Sequence, residues 1–206
     1  MRITGGKFGG RALVAPRDAR VRPTSDKVRQ AVFNILLHND FGTALEGARA
    51  ADLFAGTGAL GIEALSHGAS FCLFVDDAAE SRALIRENVE ALQLTGASKI
   101  WRRDATKLGP MAGGALSREV GTGSRQKVRP DKNSAGGPFD LVFLDPPYRK
   151  GLIALALASL RDGFWLADGA LLVAEIAEDE DIPPTDRFTR LDERVYGDTR
   201  VLFLGA

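Results

Sequence analysis

From Arg49 to the carboxyl terminus, short apolar runs alternate with stretches of helical spacing, and no other feature limits the fold as strongly. Strands separated by helices are joined by crossovers, which set the strands side by side in parallel with helices on both faces of the sheet. Ala50–Phe54, Phe71–Val75, Lys99–Arg103, Phe139–Asp145 and Ala170–Ile176 read as buried strands. Helices are expected over Ala59–Ser66, over 78–94 with Ala79, Ala83, Leu84, Val89 and Leu92 among the apolar positions, and over Gly151–Leu160. Segments 188–196 and 199–204 read as a closing hairpin turned at Gly197-Asp198. The expected class is α/β and Rossmann-like, a mostly parallel sheet with a terminal antiparallel hairpin.

Two stretches fall outside the alternation. Residues 1–16 place short extended pieces around Gly5-Gly6 and Gly9-Gly10, the pattern of a β-hairpin. An extended arm from Pro16 to Pro23 follows. Ser25 then caps a helix with Val28, Ala31, Val32, Ile35 and Leu36 on one face, expected to run to about His38. Residues 1–40 therefore read as an amino-terminal extension and 41–206 as the main domain. Within that domain, 110–137 carries six glycines, no aromatic residue and the basic residues Arg118, Arg125, Lys127, Arg129 and Lys132. So little apolar surface predicts a flexible insertion. His38 and His67 sit near helix ends without partner motifs and read as structural.

Composition excludes several classes. With 206 residues, 45% of them hydrophobic, the chain has ample length for one core. Its single cysteine, Cys72, excludes an internal disulfide and lies in an apolar run, as a buried inert thiol would. Met1–Gly6 lacks the apolar core of a signal peptide, and no run approaches the roughly 20 apolar residues of a membrane span, so a cytoplasmic location is expected. The net charge of zero hides an asymmetry. Eight lysines and arginines (Arg2, Lys7, Arg11, Arg17, Arg20, Arg22, Lys27, Arg29) stand against Asp18 and Asp26 in residues 1–38, whereas 175–198 hold nine acids and three arginines. A basic end of this kind can meet phosphates in an otherwise neutral molecule.

The fourth strand ends in Asp145-Pro146-Pro147-Tyr148. Proline cannot donate to a ladder, so the strand stops there, at the edge where open parallel sheets carry their chemistry. A carboxylate, free carbonyls and an aromatic ring suit a planar amine. Gly56-x-Gly58-x-x-Gly61 follows the first strand, and Asp76 lies twenty positions after Gly56. This spacing fits a nucleotide whose ribose hydroxyls meet a carboxylate, with NAD and S-adenosylmethionine equally allowed. Asp52 favours the second, because it would repel a pyrophosphate but suits an ammonium or sulfonium. Asp104, after the third strand, can accept from an adenine amino group, cap the turn at Ala105, or do both.

Together these residues resemble the class I S-adenosylmethionine-dependent methyltransferases. More narrowly, the chain is similar to the bacterial 16S rRNA guanine-N2 methyltransferases, the RsmD-like family. The resemblance covers nearly the whole chain: Arg2–Gly6, Gly10-Arg11, Arg22–Arg29, Phe33–Leu36, Asp52–Gly61 with Glu63–Leu65, Phe74–Asp76 and Asp145–Leu152. It implies methyl transfer from S-adenosylmethionine to a guanine N2 in 16S rRNA or the small ribosomal subunit. Asp145, Pro146, Pro147 and Tyr148 would act on the base. Thr24, Asp52, Ala55, Gly56, Thr57, Gly58, Asp76, Asp104 and Ala105 would hold the cofactor, and Arg2, Lys7, Arg11 and Arg22 the RNA. No metal is required, and a monomer is expected. On this reading, removing residues 1–22 spares cofactor binding and abolishes RNA methylation.

Two departures stand out. The family's second-strand acid is usually a glutamate followed by a basic residue, where this chain has Asp76-Asp77; position favours Asp76. The 110–137 insertion is longer than the usual connection. The alternatives are a DNA adenine-N6 methyltransferase, which lacks here a region large enough for target recognition, and a non-catalytic RNA-binding assembly protein with a relic cofactor fold. An NAD-dependent oxidoreductase ranks last, because no hydride-transfer acid is apparent.

Overall fold

A computed structural model describes residues 1–16, 25–38, 41, 45–111, 137–182 and 187–206. Seven strands form one sheet: β1 (Arg49–Leu53), β2 (Phe71–Val75), β3 (Ser98–Trp101), β4 (Phe139–Leu144), β5 (Leu166–Ala177), β6 (Thr189–Tyr196) and β7 (Thr199–Gly205). Their spatial order is β3-β2-β1-β4-β5-β7-β6. All pairings among β1 to β5 are parallel, and β7 is antiparallel to both β5 and β6. The closing hairpin thus inserts its second strand beside β5 and leaves β6 at the edge. The chain runs outward from β1 to β3, then returns to β4 on the other side of β1. A crevice opens where the order reverses, beyond the carboxyl ends of β1 and β4.

Strands buried on both faces need two covering layers. One is built from α1 (Asp26–His38), α2 (Ala59–Ser66) and α3 (Ala79–Ala91), packed on Ala50, Phe74, Phe143, Val173 and Val201. The other is α4 (Leu152–Asp162) with Trp165, packed on Leu53, Val75, Leu144 and Ala174. Cys72 is fully buried. The two-residue repeat of a strand carries the first face onward to Asp52, Asp76, Asp145, Glu175 and Thr199. Each lies two positions from one of that face's core residues, so the carboxyl edge presents a row of acids on one side.

Element boundaries moved for local reasons. The helix expected over 78–94 stops at Ala91, because Gln93 adopts φ +59° and Leu94 N–H turns back to the Val89 carbonyl at 2.9 Å, tucking Leu92 and Leu94 into the core. β3 ends at Trp101, two residues early. β5 starts four residues early, at Leu166, and carries a register shift against Phe139 and Leu141. Ser25 caps α1 as expected, its Oγ accepting from Val28 N–H at 3.2 Å.

The amino-terminal hairpin is an antiparallel return held by one bridge, Arg2–Ala12, around a 3₁₀ turn at Gly6–Phe8. It does not extend into a ribbon, because Thr4 and Gly5 give their N–H groups to the Glu63 carboxylate at 2.7–2.9 Å. Gly6, at φ +70°, passes so close to α2 that a Cβ would lie 2.1 Å from the Ser66 carbonyl oxygen. The expected arm at Pro16–Pro23 and the expected insertion lie almost wholly outside the described residues. Among the described residues, no helix is long and apolar enough to cross a membrane.

Candidate active site

A cleft of about 1420 Å³ opens along the carboxyl edge of β2, β1, β4 and β5. The loop after β1 forms its floor. Phe54 adopts φ +59°, and Gly56 and Gly58 adopt φ +55° and +78°. A non-glycine residue in that region is uncommon and costs backbone strain, which tends to collect at functional sites. Beyond Phe54 O at 3.9 Å, nothing lies within 4 Å of where a Gly56 Cβ would point, so its backbone faces open space. Gly61 has a different task. A Cβ there would fall 2.4 Å from the Phe74 ring and 2.6 Å from Cys72 Sγ, so the glycine lets α2 lie flat on β2.

The acids of β1 and β2 are fixed by backbone donors. Asp76 accepts from Gly56 N–H and from Ala78 N–H, both at 2.9 Å, which ties the two loops together. Asp52 is buried and accepts from Gly61 N–H at 2.9 Å. Burial pushes its carboxyl up to about 8; the Gly61 N–H opposes the rise and the Asp76 charge adds to it. Asp104 caps the turn Ala105–Lys107 by accepting from Thr106 N–H at 2.9 Å and Thr106 Oγ1 at 2.7 Å, and these bonds hold its carboxyl below the usual range. The capping role expected for it is therefore present, and Asp104 also lines the cleft with Ala105. Asp77 is exposed on the same wall.

On the other side of the switch point stand Asp145, Pro146, Pro147 and Tyr148, all on the cleft wall. Asp145 N–H reaches back to the Leu53 carbonyl at 3.4 Å, the last link between β4 and β1 before the prolines end the ladder. The Tyr148 hydroxyl donates to Glu175 Oε1 at 2.6 Å and lies 3.0 Å from Thr199 Oγ1. Burial, followed by the bond to Glu175, raises the phenol well above its ordinary pKa.

The cleft thus brings together Asp52, Ala55, Gly56, Thr57, Asp76, Asp104, Ala105 and Asp145–Tyr148, residues singled out by the motifs or by the family resemblance. Gly58 stands behind the floor as the residue preceding α2. Thr24 and Arg22 lie outside the described residues. Arg2 and Lys7 are exposed. Arg11 is exposed too, but its guanidinium donates to the Ala91 carbonyl at 3.0 Å and so closes the end of α3.

Sequence reasoning missed a second group. Glu63 and Arg29 form a buried ion pair at 3.1 Å, and Arg29 also donates to Asp26 and to the Arg2 carbonyl. His67 stacks on Phe33 and lies 3.6 Å from Glu63. This cluster seats residues 2–5 on α2. Met1 then reaches the cleft wall, where Thr57 Oγ1 contacts its sulfur at 3.5 Å. The expectation that residues 1–22 can be removed without touching the cofactor site does not fit this packing. The available signal was a lone acid, Glu63, inside the apolar helix Ala59–Ser66; Glu175 in the apolar strand β5 gives the same signal.

The chain matches the family model described as conserved hypothetical protein 95 over residues 1–120 and 115–205. It is 34% identical over 184 residues to the ribosomal RNA small subunit methyltransferase D of Escherichia coli, covering 89% of this chain and 78% of that protein. To the candidate rRNA methyltransferase YlbH of Bacillus subtilis it is 33% identical over 185 residues, covering 90% and 87%. Among solved structures, the candidate methyltransferase yhhF of Escherichia coli aligns over 100% of this chain and 97% of its own, with TM-score 0.73 and 28% identity. The chain belongs to the RsmD-like methyltransferase family, and its fold is that of the class I methyltransferases.

Proposed function

We propose that this member of the family transfers a methyl group from S-adenosylmethionine to the exocyclic N2 of a guanine in small-subunit rRNA. The observation that carries the reading is the single cleft, which joins the glycine loop and its acids to Asp145–Tyr148 across adjacent strands. The name of the Escherichia coli relative supports rRNA as the carrier of the base.

The residues fit the methyl donor. Open space in front of Gly56 admits close approach of a ligand to the backbone. The two backbone bonds to Asp76 fix its carboxylate, which has acceptor capacity left for ribose hydroxyls. Asp104 and Ala105 would meet the adenine, and Asp52 with Ala55 and Thr57 the methionine end, with Gly58 turning the loop behind them. When bound, the cofactor supplies a methyl carbon activated by a sulfonium.

The chain's own task is alignment. The guanine N2 lone pair is delocalised into the ring and is a poor nucleophile. Asp145 and the Pro146 carbonyl would accept its two N–H bonds, favouring a more tetrahedral nitrogen aimed into the cleft. Tyr148 would stack on the base, a contact worth about 1–3 kcal/mol. The base leaves its stack to reach this depth. After transfer the surplus proton passes to Asp145 or to water. Arg2, Lys7 and Arg11, with Arg22, would hold phosphates, so RNA binding should weaken steeply with salt. Thr24 would close over the methionine end.

The test is transfer of a labelled methyl group to rRNA and to small subunits from a strain lacking the modification, with duplex DNA offered in parallel, followed by mapping of the labelled base. The expected product is N2-methylguanine. Label in adenine N6 of DNA, or none in RNA while S-adenosylmethionine binds, would overturn the reading.

A further inference from the structure

We infer that Glu175 is a positioning residue for methyl transfer: with Thr199 it holds the Tyr148 hydroxyl, so the aromatic wall of the base site is locked before substrate arrives. The inference rests on the proposed stacking of Tyr148 on the methylated base. It adds residues from two further strands, neither of which any motif in the chain marks.

The geometry is specific. Glu175 follows Ala174, which pairs with Leu144, and Asp145 follows Leu144. The two acids therefore leave neighbouring parallel strands at the same level and on the same face. Tyr148, three residues further along, sends its hydroxyl back to Glu175 Oε1 at 2.6 Å, a short, charge-assisted bond. Thr199, at the start of β7, meets the same hydroxyl at 3.0 Å. Glu175 is 8% exposed and Thr199 6%, so a half-buried tyrosine on the cleft wall is held by two partners that are themselves packed into the sheet edge. Tyr148 follows two prolines that have left the ladder, and its ring would otherwise hang on a loop. A phenylalanine would offer the same stacking face but nothing for β5 and β7 to grip. The tether converts a loop residue into part of the sheet edge, which is the condition a base site needs to present the amine in line with the methyl carbon.

The experiment uses the full-length protein and compares Tyr148→Phe, Glu175→Ala, Glu175→Gln, the Tyr148→Phe/Glu175→Ala double variant and Tyr148→Ala. Single-turnover transfer to rRNA is measured alongside calorimetric binding of S-adenosylmethionine and thermal melting. Tyr148→Phe and Glu175→Ala should each slow transfer by roughly tenfold to a hundredfold, the range a misplaced group produces, with cofactor affinity unchanged. Glu175→Gln, which keeps an acceptor oxygen, should recover most of the rate. The double variant should be no slower than the slower single variant, because Glu175 acts through the hydroxyl. A purely structural role would instead lower melting temperature and cofactor affinity together and give multiplying losses. The chain has only two tyrosines, so phenol titration by ultraviolet absorbance gives a second readout: one should ionise at lower pH in Glu175→Ala. Wild-type transfer by Tyr148→Phe overturns the inference, as do multiplying losses in the double variant. If Tyr148→Ala also transfers at the wild-type rate, the stacking role itself is wrong. If only Tyr148→Ala fails, stacking stands and the tether falls.

Discussion

The two halves of the carboxyl edge hold their acids by opposite means. On the β1–β2 side, Asp52 and Asp76 accept from backbone N–H groups of Gly61, Gly56 and Ala78, which lie nine, twenty and two residues away. On the β4–β5 side, Glu175 is bonded to the side chain of Tyr148, 27 residues away, and Thr199 meets the same hydroxyl from 51 residues away. The first half is built by the local course of the chain and moves only if the backbone does. The second is assembled by the sheet from distant strands, and one side chain can undo it. On the proposed function, the first half would serve a cofactor that is always the same, and the second, as a base site, could be tuned by single substitutions without disturbing it.

The largest effect that tests this division is Asp145→Ala. It should reduce methyl transfer by on the order of 10²–10⁴-fold, while calorimetry finds S-adenosylmethionine bound as in the wild type. Equal loss of both would show that the halves are not separate. Glu63→Ala comes next. It takes one of two carboxylates from the buried Arg29, which keeps Asp26, and frees the Thr4 and Gly5 N–H groups, a change expected to cost about 3 kcal/mol in denaturant unfolding. Because Met1 and Thr57 touch at the cleft wall, cofactor affinity should fall as well. Unchanged affinity would make the amino-terminal seat independent of the cofactor half.

Smaller is Gly61→Ala, whose added methyl meets Phe74 and Cys72 and should destabilise by about 1–3 kcal/mol without changing transfer per folded molecule. The mildest is a pH effect. The Asp52 carboxyl is raised above its ordinary value, so the ligand-free folded state holds a proton that the unfolded chain has lost, and stability from this group declines as pH rises toward about 8. A cation beside Asp52 favours the ionised form, so binding below that pH should expel a proton. Cofactor affinity should then rise with pH, by at most about tenfold per unit, and level off above pH 8. Calorimetry in buffers of different ionisation enthalpy counts the proton, and Asp52→Asn should flatten the profile.

What was legible in the sequence follows the same division. Asp52–Gly61 and Asp145–Tyr148 were readable because strand, turn and cleft-lining residue lie within one short stretch, and their strands were placed to within a residue or two. The end of α3 was less so, because Gln93 in a left-handed conformation has no propensity signature. The role of Glu63 was hidden: its partners are Arg29, Thr4 and Gly5, which no spacing rule connects. Arg11 has a structural task that the sequence did not announce. It belongs to the basic end that suggested RNA contact, yet part of its guanidinium is spent on the Ala91 carbonyl.

On the proposed function, one cleft holds the methyl donor and the base side by side. The most direct measurement is binding of a bisubstrate analogue, an adenosyl group joined covalently to the N2 of guanosine, compared with S-adenosylhomocysteine and guanosine alone. A shared cleft should give a gain on the order of 10²-fold over the better fragment, lost in Tyr148→Ala. An analogue that binds no more tightly than S-adenosylhomocysteine would contradict it.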